Sequence, residues 1–368
     1  MRLAIRNIAH DRTRFLLTVA GIAFSGFLMM FQGSLLAGFE RAASRVIYSV
    51  DADIWVMARG VQAFDLAPPL PSDYSGLIRG VPAILSVRQM VTGIAFWQRP
   101  NGTRKSVVLI GSDMGMGGEY PVSATPVMLP ENVLVDASDL ETLGLSQTPA
   151  DVEINARRRH VEGSVSGFGS FLGSPYVFGN LNDARRCLGL GAEGTMFLLI
   201  NVEPGQNAST VRDSLRRRTP ELDVLSKVEF SNRARRYWTI QTGAGGALLT
   251  AALLGFVVGV LIVSQTVYAT TMENVEEFAT LKALGASRYF IVRIVVAQSL
   301  ISALLGFAVG ILAAIPIISI ARNVISWIYM PWELPAVVAP TTVILAALAS
   351  VTAVRAAISI EPGRVFRA

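Results

Sequence analysis

Three lysines (Lys105, Lys227 and Lys282), two histidines (His10 and His160) and one cysteine (Cys187) are the side chains with the most chemistry to offer. No lysine follows a glycine, so the phosphate-cradling loop of a nucleotide hydrolase is missing from the sequence. The histidines are far apart and the cysteine is single, so the usual zinc ligand sets cannot be assembled. A lone cysteine also excludes an intrachain disulfide. Asp51 and Asp53 alternate and would share one face of a strand, yet no partner base is identifiable. Gly167, Gly169 and Gly173 have the wrong spacing for a dinucleotide fingerprint, and the Gly/aromatic stretch around them reads as a flexible loop. Ser264 and Ser299 have no visible base. These residues point away from an enzyme. No metal and no cofactor is expected in this chain.

The elements that hold these residues are set by charge. The chain has 368 residues, 52% hydrophobic and 16% charged. No Asp, Glu, Lys or Arg occurs between Arg14 and Glu40, Arg236 and Glu273, Arg293 and Arg322, or Glu333 and Arg355. Each gap holds about 20 or more residues, enough to cross a hydrocarbon core of roughly 30 Å. Four transmembrane helices are expected: 15–37, 243–268, 293–320 and 336–355. The first is too long for the apolar core of a signal peptide and is read as a retained anchor.

An even number of spans places both termini on one side. Ten basic side chains flank that side, among them Arg2, Arg6, Arg12, Arg14, Lys282 and Arg288, against six on the other. The bias puts the termini and the loop between spans two and three in the cytoplasm. Residues 38–238 carry equal numbers of acidic and basic groups, so the net charge of +5 is a signature of topology and not of nucleic-acid binding.

The expected fold class is an α-helical membrane protein of one-plus-three topology with a large extracytoplasmic α+β domain between the first two spans. In order, the parts are a cytoplasmic interfacial helix (1–14), the first span (15–37) and the external domain with helical stalks at both ends (38–238). The second span (243–268), a cytoplasmic coupling segment (269–292), the third span (293–320), a short outer loop (321–335), the fourth span (336–355) and a cytoplasmic tail (356–368) follow. Within the domain, 52–58, 93–98, 106–113, 132–136 and 196–202 read as strands, and 137–145, 181–190 and 207–218 as helices. Residues 196–226 read as strand–helix–strand. The stretch 229–246 reads as a helix that begins outside the bilayer and continues into the second span.

Two patterns remain. The stretch "NVEEFATLKALGASRYF" (274–290) begins with an Asn274/Glu277 capping pair. Val275, Phe278, Leu281 and Leu284 then form an apolar stripe. Gly285 is placed to end the helix in a left-handed conformation and Ser287 to cap the next. Whether this helix is continuous with the second span stays open. The pairs Gly255/Gly259 and Gly306/Gly310 have the spacing for close helix approach, within the bundle or in a dimer.

The stretch "ENVEEFATLKALGASRYFI" resembles the cytoplasmic segment of FtsX/MacB-type permeases, and the one-plus-three topology is similar. The sequences 16–32, 237–271 and "IEPGRVFRA" (360–368) are closer still to the DevC-type exporter branch. The resemblance implies a homodimer in the bacterial inner membrane that binds two copies of an ABC ATPase. ATP and magnesium would be held by that partner. Motion would pass along the second span to the external domain, a process called mechanotransmission. Glu276, Glu277, Phe278, Leu281, Lys282, Leu284 and Gly285 would contact the ATPase. A periplasmic membrane-fusion or adaptor protein and an outer-membrane channel are the further partners it implies, with a hydrophobic or lipid-like cargo. The FtsX branch offers the alternative, control of an extracytoplasmic cell-wall hydrolase.

Overall fold

The computed structural model describes residues 12–70, 74–113, 129–273, 279–280 and 283–359. The chain divides into two compact units. One is Gly38–Gly245 with Arg322–Trp327; the other is Met1–Ala37 with Gly246–Ala321 and Ile328–Ala368. The interfacial helix expected at 1–14, apart from residues 12–14, and the last residues of the tail lie outside the described residues.

The second unit is helical. Helix α1 (Arg12–Ser49) contributes its N-terminal part. Among the described residues, three stretches are long and apolar enough to cross a bilayer: Phe15–Ser49, Ala244–Gln265 and Val292–Ala321. The fourth expected span, 336–355, falls in a 26-residue helix (Leu334–Ser359), of which Leu334–Leu348 is the apolar stretch found among the described residues.

The first unit is a mixed α/β structure. Its strands are β1 (Ile54–Ala58), β2 (Ile84–Gln98), β3 (Arg104–Ser112), β4 (Asn132–Asp136), β5 (Ala150–Ile154), β6 (Arg157–Val165), β7 (Tyr176–Asn180), β8 (Phe197–Val202) and β9 (Leu222–Ser226). They form one nine-stranded sheet in the order β3-β7-β4-β6-β5-β2-β8-β1-β9, and β3 also pairs with β2. That extra pairing closes β3-β7-β4-β6-β5-β2 into a ring. The 15-residue strand β2 makes both lobes possible: Met90–Gln98 pairs with β3, and Ile84–Met90 pairs with β8.

The other helices, in chain order, are α2 (Tyr74–Arg79), α3 (Leu140–Leu143), α4 (Leu181–Leu188), α5 (Ala208–Arg218), α6 (Lys227–Arg236), α7 (Ala244–Glu273), α8 (Arg288–Ala321) and α9 (Leu334–Ser359). Alternation along β1, β8 and β9 sorts their side chains by face. Ile54, Val56, Leu198, Ile200 and Val224 pack with Ile78, Val211 and Leu215 of α2 and α5. Trp55, Met57, Phe197, Leu199 and Leu225 face the larger core with Phe64 and Phe230. There Trp55 lies edge-on to Phe197 (5.3 Å) and Phe64 stacks on Phe197 (5.2 Å). Ser226 and Glu229 cap α6 reciprocally.

Two sequence readings need correction, and one hairpin was missed. Residues 229–246 are not one helix into the second span. Helix α6 gives way to a π-helical turn (Tyr237–Gln241), and Gly243 at φ +77° ends the run before α7 begins. Glycine adopts that conformation without the Cβ penalty, so "TGAGG" breaks the helix. The hairpin β5–β6 was not legible; it turns on Asn155 and Ala156, both left-handed at φ +48° and +61°. The stretch 163–174 is no free loop. Residues 163–165 belong to β6, and Phe168 and Ser170 are buried.

Candidate coupling surface and helix-packing core

In the helical unit, the four singled-out glycines all face α1. A Cβ at Gly255 would lie 3.4 Å from the Leu28 Cβ. One at Gly259 would lie 2.6 Å from the Ser25 Cβ and 3.0 Å from a Leu345 methyl. On α8, one at Gly306 would lie 2.6 Å from the Ile22 Cβ, and one at Gly310 only 2.8 Å from the Ala23 carbonyl oxygen. Gly21 of α1 faces Ile262 of α7 in the same way. In α1, Ile22, Met30 and Ser25 are almost fully covered. Ser25 donates to its own Gly21 carbonyl (3.1 Å), so its hydroxyl is satisfied inside the helix. Small residues replace side-chain packing with backbone proximity, and dispersion then holds the helices together.

The turn between α7 and α8 carries the other candidate residues. Glu276, Glu277, Phe278, Leu281 and Lys282 lie outside the described residues, as does the Asn274/Glu277 cap. Leu284 and Gly285 are described. The Leu284 N–H donates to the Thr280 carbonyl (3.0 Å), a helical bond. Gly285 follows at φ +90° with open space around its Cα. Phe290 N–H donates to the Ser287 carbonyl and, at 3.3 Å, to its hydroxyl, so Ser287 caps α8. Leu284 is 80% exposed and Tyr289 76%, while Phe290 and Met272 are also exposed. Ala279 is buried. The turn therefore presents large apolar side chains from a backbone fixed at both ends.

Residues 249–362, from within α7 through α9, match the FtsX-like permease C-terminal family. That stretch of the helical unit is therefore similar to an FtsX-like permease domain. The match takes in the four glycines and the turn bearing Leu284. Over 99% of its length the chain is 22% identical to an uncharacterized ABC transporter permease of Mycobacterium tuberculosis, covering 98% of that protein. A second such permease, from Mycobacterium bovis, is also 22% identical over 368 residues. Two solved structures are similar to about half of the chain. The periplasmic region of MacB from Actinobacillus actinomycetemcomitans is 13% identical, covers 49% of this chain and 92% of that one, and has a TM-score of 0.35. The extracellular domain of YknZ, a noncanonic ABC-type transporter from Gram-positive bacteria, is 12% identical, covers 47% and 98%, and also scores 0.35.

Buried titratable groups lie in the α/β unit. Asp53 accepts the Val202 N–H (2.9 Å) at the edge of the sheet, and that is its structural use. Burial pushes the Asp65 carboxyl up to about 6, against the opposing hydrogen bond from Tyr176 (3.0 Å). Burial and the neighbouring Asp136 push Asp139 up to about 7, opposed by Lys105. Cys187 is buried beside the Arg159 guanidinium (3.3 Å). Among the described residues no group of three or more His, Cys, Asp or Glu is placed to hold a metal ion.

The largest feature the sequence hid is the packing of the 166–173 loop. Phe168 packs edge-on to Phe178 (5.1 Å), and Phe171 packs edge-on to Phe39 (4.8 Å) and Trp238 (5.1 Å). Four spaced aromatics in "GFGSFLGSPYVF" were the available signal; the glycines among them masked it.

Proposed function

We propose that this chain is the permease subunit of an ATP-powered ABC exporter of the MacB/DevC type. It would act as a homodimer in the bacterial inner membrane, both termini cytoplasmic, with two copies of an ABC ATPase. That partner would bind ATP and magnesium; this chain supplies no catalytic residue. The turn between α7 and α8 receives the ATPase, and α7 passes the stroke to the α/β unit. There a hydrophobic or lipid-like cargo is driven toward a membrane-fusion or adaptor protein and an outer-membrane channel.

The observation that supports this reading best is the full-length similarity to ABC transporter permeases. The exposed Leu284 fits it. Seating such a leucine in a partner's groove contributes about 1.5–3 kcal/mol before ordering costs.

Coexpression with the ATPase tests the contact. Leu284→Asp and Phe278→Asp are expected to insert normally and fail to copurify with the ATPase. Undiminished copurification of both would overturn the assignment. Reconstitution with the adaptor, scoring cargo-dependent ATP hydrolysis, tests the export step.

A further inference from the structure

The 166–173 loop is held from two directions within the α/β unit. On the sheet side, the Phe168 N–H donates to Asp136 Oδ2 (2.5 Å). Asp136 is 1% exposed, and its other oxygen accepts the Ser138 N–H (2.9 Å) and hydroxyl (2.5 Å). On the loop's far flank Tyr176 bonds both Asp65 and Ser170. On the helix side, the Arg45 guanidinium of α1 lies 5.4 Å over the Phe168 ring. Phe171 meets Phe39 and Trp238, and a Cβ at Gly169 would sit 2.7 Å from the Ser326 Cβ. Gly167 and Gly173, at φ +87° and +71°, bracket the loop with the two conformations only glycine takes readily.

Asp139 sits one turn from this grip. It is 8% exposed, and its Oδ2 has no hydrogen-bond partner among the described residues. The charged groups facing it are Asp136 from the same turn and Lys105 from β3. Asp65 is faced by Tyr176 from β7. One carboxylate of the 136/139 pair is fully satisfied and the other is not. Two buried carboxylates so close cannot both stay ionised without cost.

We propose that the 166–173 loop is a proton-sensitive latch between the sheet and the helix ends of the α/β unit, firm when Asp139 is protonated and loosened when it ionises. An ionised Asp139 repels Asp136, the group that grips the Phe168 N–H. It also places an unpaired charge in a dry turn. Letting the loop go admits water to both carboxylates. The raised carboxyl range of Asp139 fixes the sense. The latched state binds the proton more tightly, so latching is favoured in acid and fades as pH rises through about 7. Asp65, raised to about 6, acts in the same direction through Tyr176 and Ser170. The latch does not depend on which ATPase or cargo the permease serves.

Hydrogen exchange on the full-length chain in nanodiscs tests it, with intrinsic rates corrected for pH. Protection of the 167–172 amides, Phe168 above all, is expected to fall about tenfold between about pH 6 and about pH 8. Asp139→Asn should keep most of the acid-side protection at both values, with only the smaller Asp65 contribution still fading, and Asp136→Asn should lose it at both. Lys105→Met removes the cation that opposes protonation, so the transition should move to higher pH. Wild-type protection that is equal at the two pH values would overturn the latch. So would an Asp139→Asn protein with unchanged pH dependence, or an unmoved transition in Lys105→Met.

Discussion

The α/β unit fills its interior with rings, whereas the helical unit clears side chains from its helix crossings. Trp55, Phe64, Phe197 and Phe230 interlock at the centre of the first. Gly255, Gly259, Gly306 and Gly310 let two helices approach the backbone of α1 in the second. The difference follows from the solvent each faces. In water, burying an aromatic ring is a large gain. In hydrocarbon, an apolar side chain gains nothing by leaving lipid, and only close contact distinguishes a neighbour helix from an acyl chain. One unit should therefore fail when atoms are removed, and the other when atoms are added.

Removal gives the largest expected effect. Trp55→Ala should cost about 3–5 kcal/mol of stability in the α/β unit, read by denaturant unfolding of the full chain. Trp55→Phe sharpens the claim. The indole N–H of Trp55 has no hydrogen-bond partner among the described residues, so phenylalanine forfeits volume and no bond. Its cost should be well under that of alanine. Equal costs would mean that the ring cluster is not what holds this unit.

Addition comes next. Gly310→Leu should destabilise the helical unit by about 1–3 kcal/mol or more, because the new side chain meets the Ala23 backbone, which has little room to yield. Gly246→Ala is the control: a Cβ there meets nothing within 4 Å, and stability should hold. Thermal unfolding in nanodiscs separates the two. A tolerated Gly310→Leu would erase the contrast between the units.

How far the sequence foretells each unit differs for the same physical reason. Lipid demands long unbroken apolar runs, and those are visible without any structure: α1, α7 and α8 announce themselves. The small-xxx-small pairs stood out too, although spacing alone could not tell α1 from a second copy as the surface they meet. In the α/β unit, runs such as "IWVMA" and "NVLVD" revealed β1 and β4 because they are short, nearly continuous apolar runs rich in Val, Ile and Trp. The hairpin β5–β6 escaped because its outward positions hold Asp151, Glu153, Arg157 and Arg158 and only alternate residues are apolar. Its turn also uses Asn155-Ala156 in place of the commoner Asn-Gly. The latch loop escaped because glycine, serine and phenylalanine in a row describe a linker equally well. Burial of Asp139 depends on β3 and the 136–139 turn coming together, a non-local fact that no window of sequence contains.

Smaller effects refine the contrast within the α/β unit. Ser226→Ala removes one half of the capping box of α6, whose Glu229 also pairs with Arg212 (3.0 Å) and Arg216 (3.2 Å). The expected cost is about 1 kcal/mol. If the loss is much larger, the cap is holding β9 and α5 in place as well as its own helix.

The smallest expected change in stability belongs to Leu284→Asp. The side chain is 80% exposed and its backbone is fixed by the Thr280 carbonyl on one side and the left-handed Gly285 on the other. Nothing in the fold leans on it, so unfolding should move by no more than about 0.5 kcal/mol. Gly285→Val supplies the opposing case. A β-branched residue at φ +90° is strained wherever its side chain points, so the turn itself should distort. Copurification with the ATPase, scored beside unfolding, separates surface from scaffold. Leu284→Asp should abolish binding and leave stability alone, whereas Gly285→Val should disturb both. A Leu284→Asp protein that unfolds early would place this leucine inside the helical unit's own packing and remove it from the proposed docking surface.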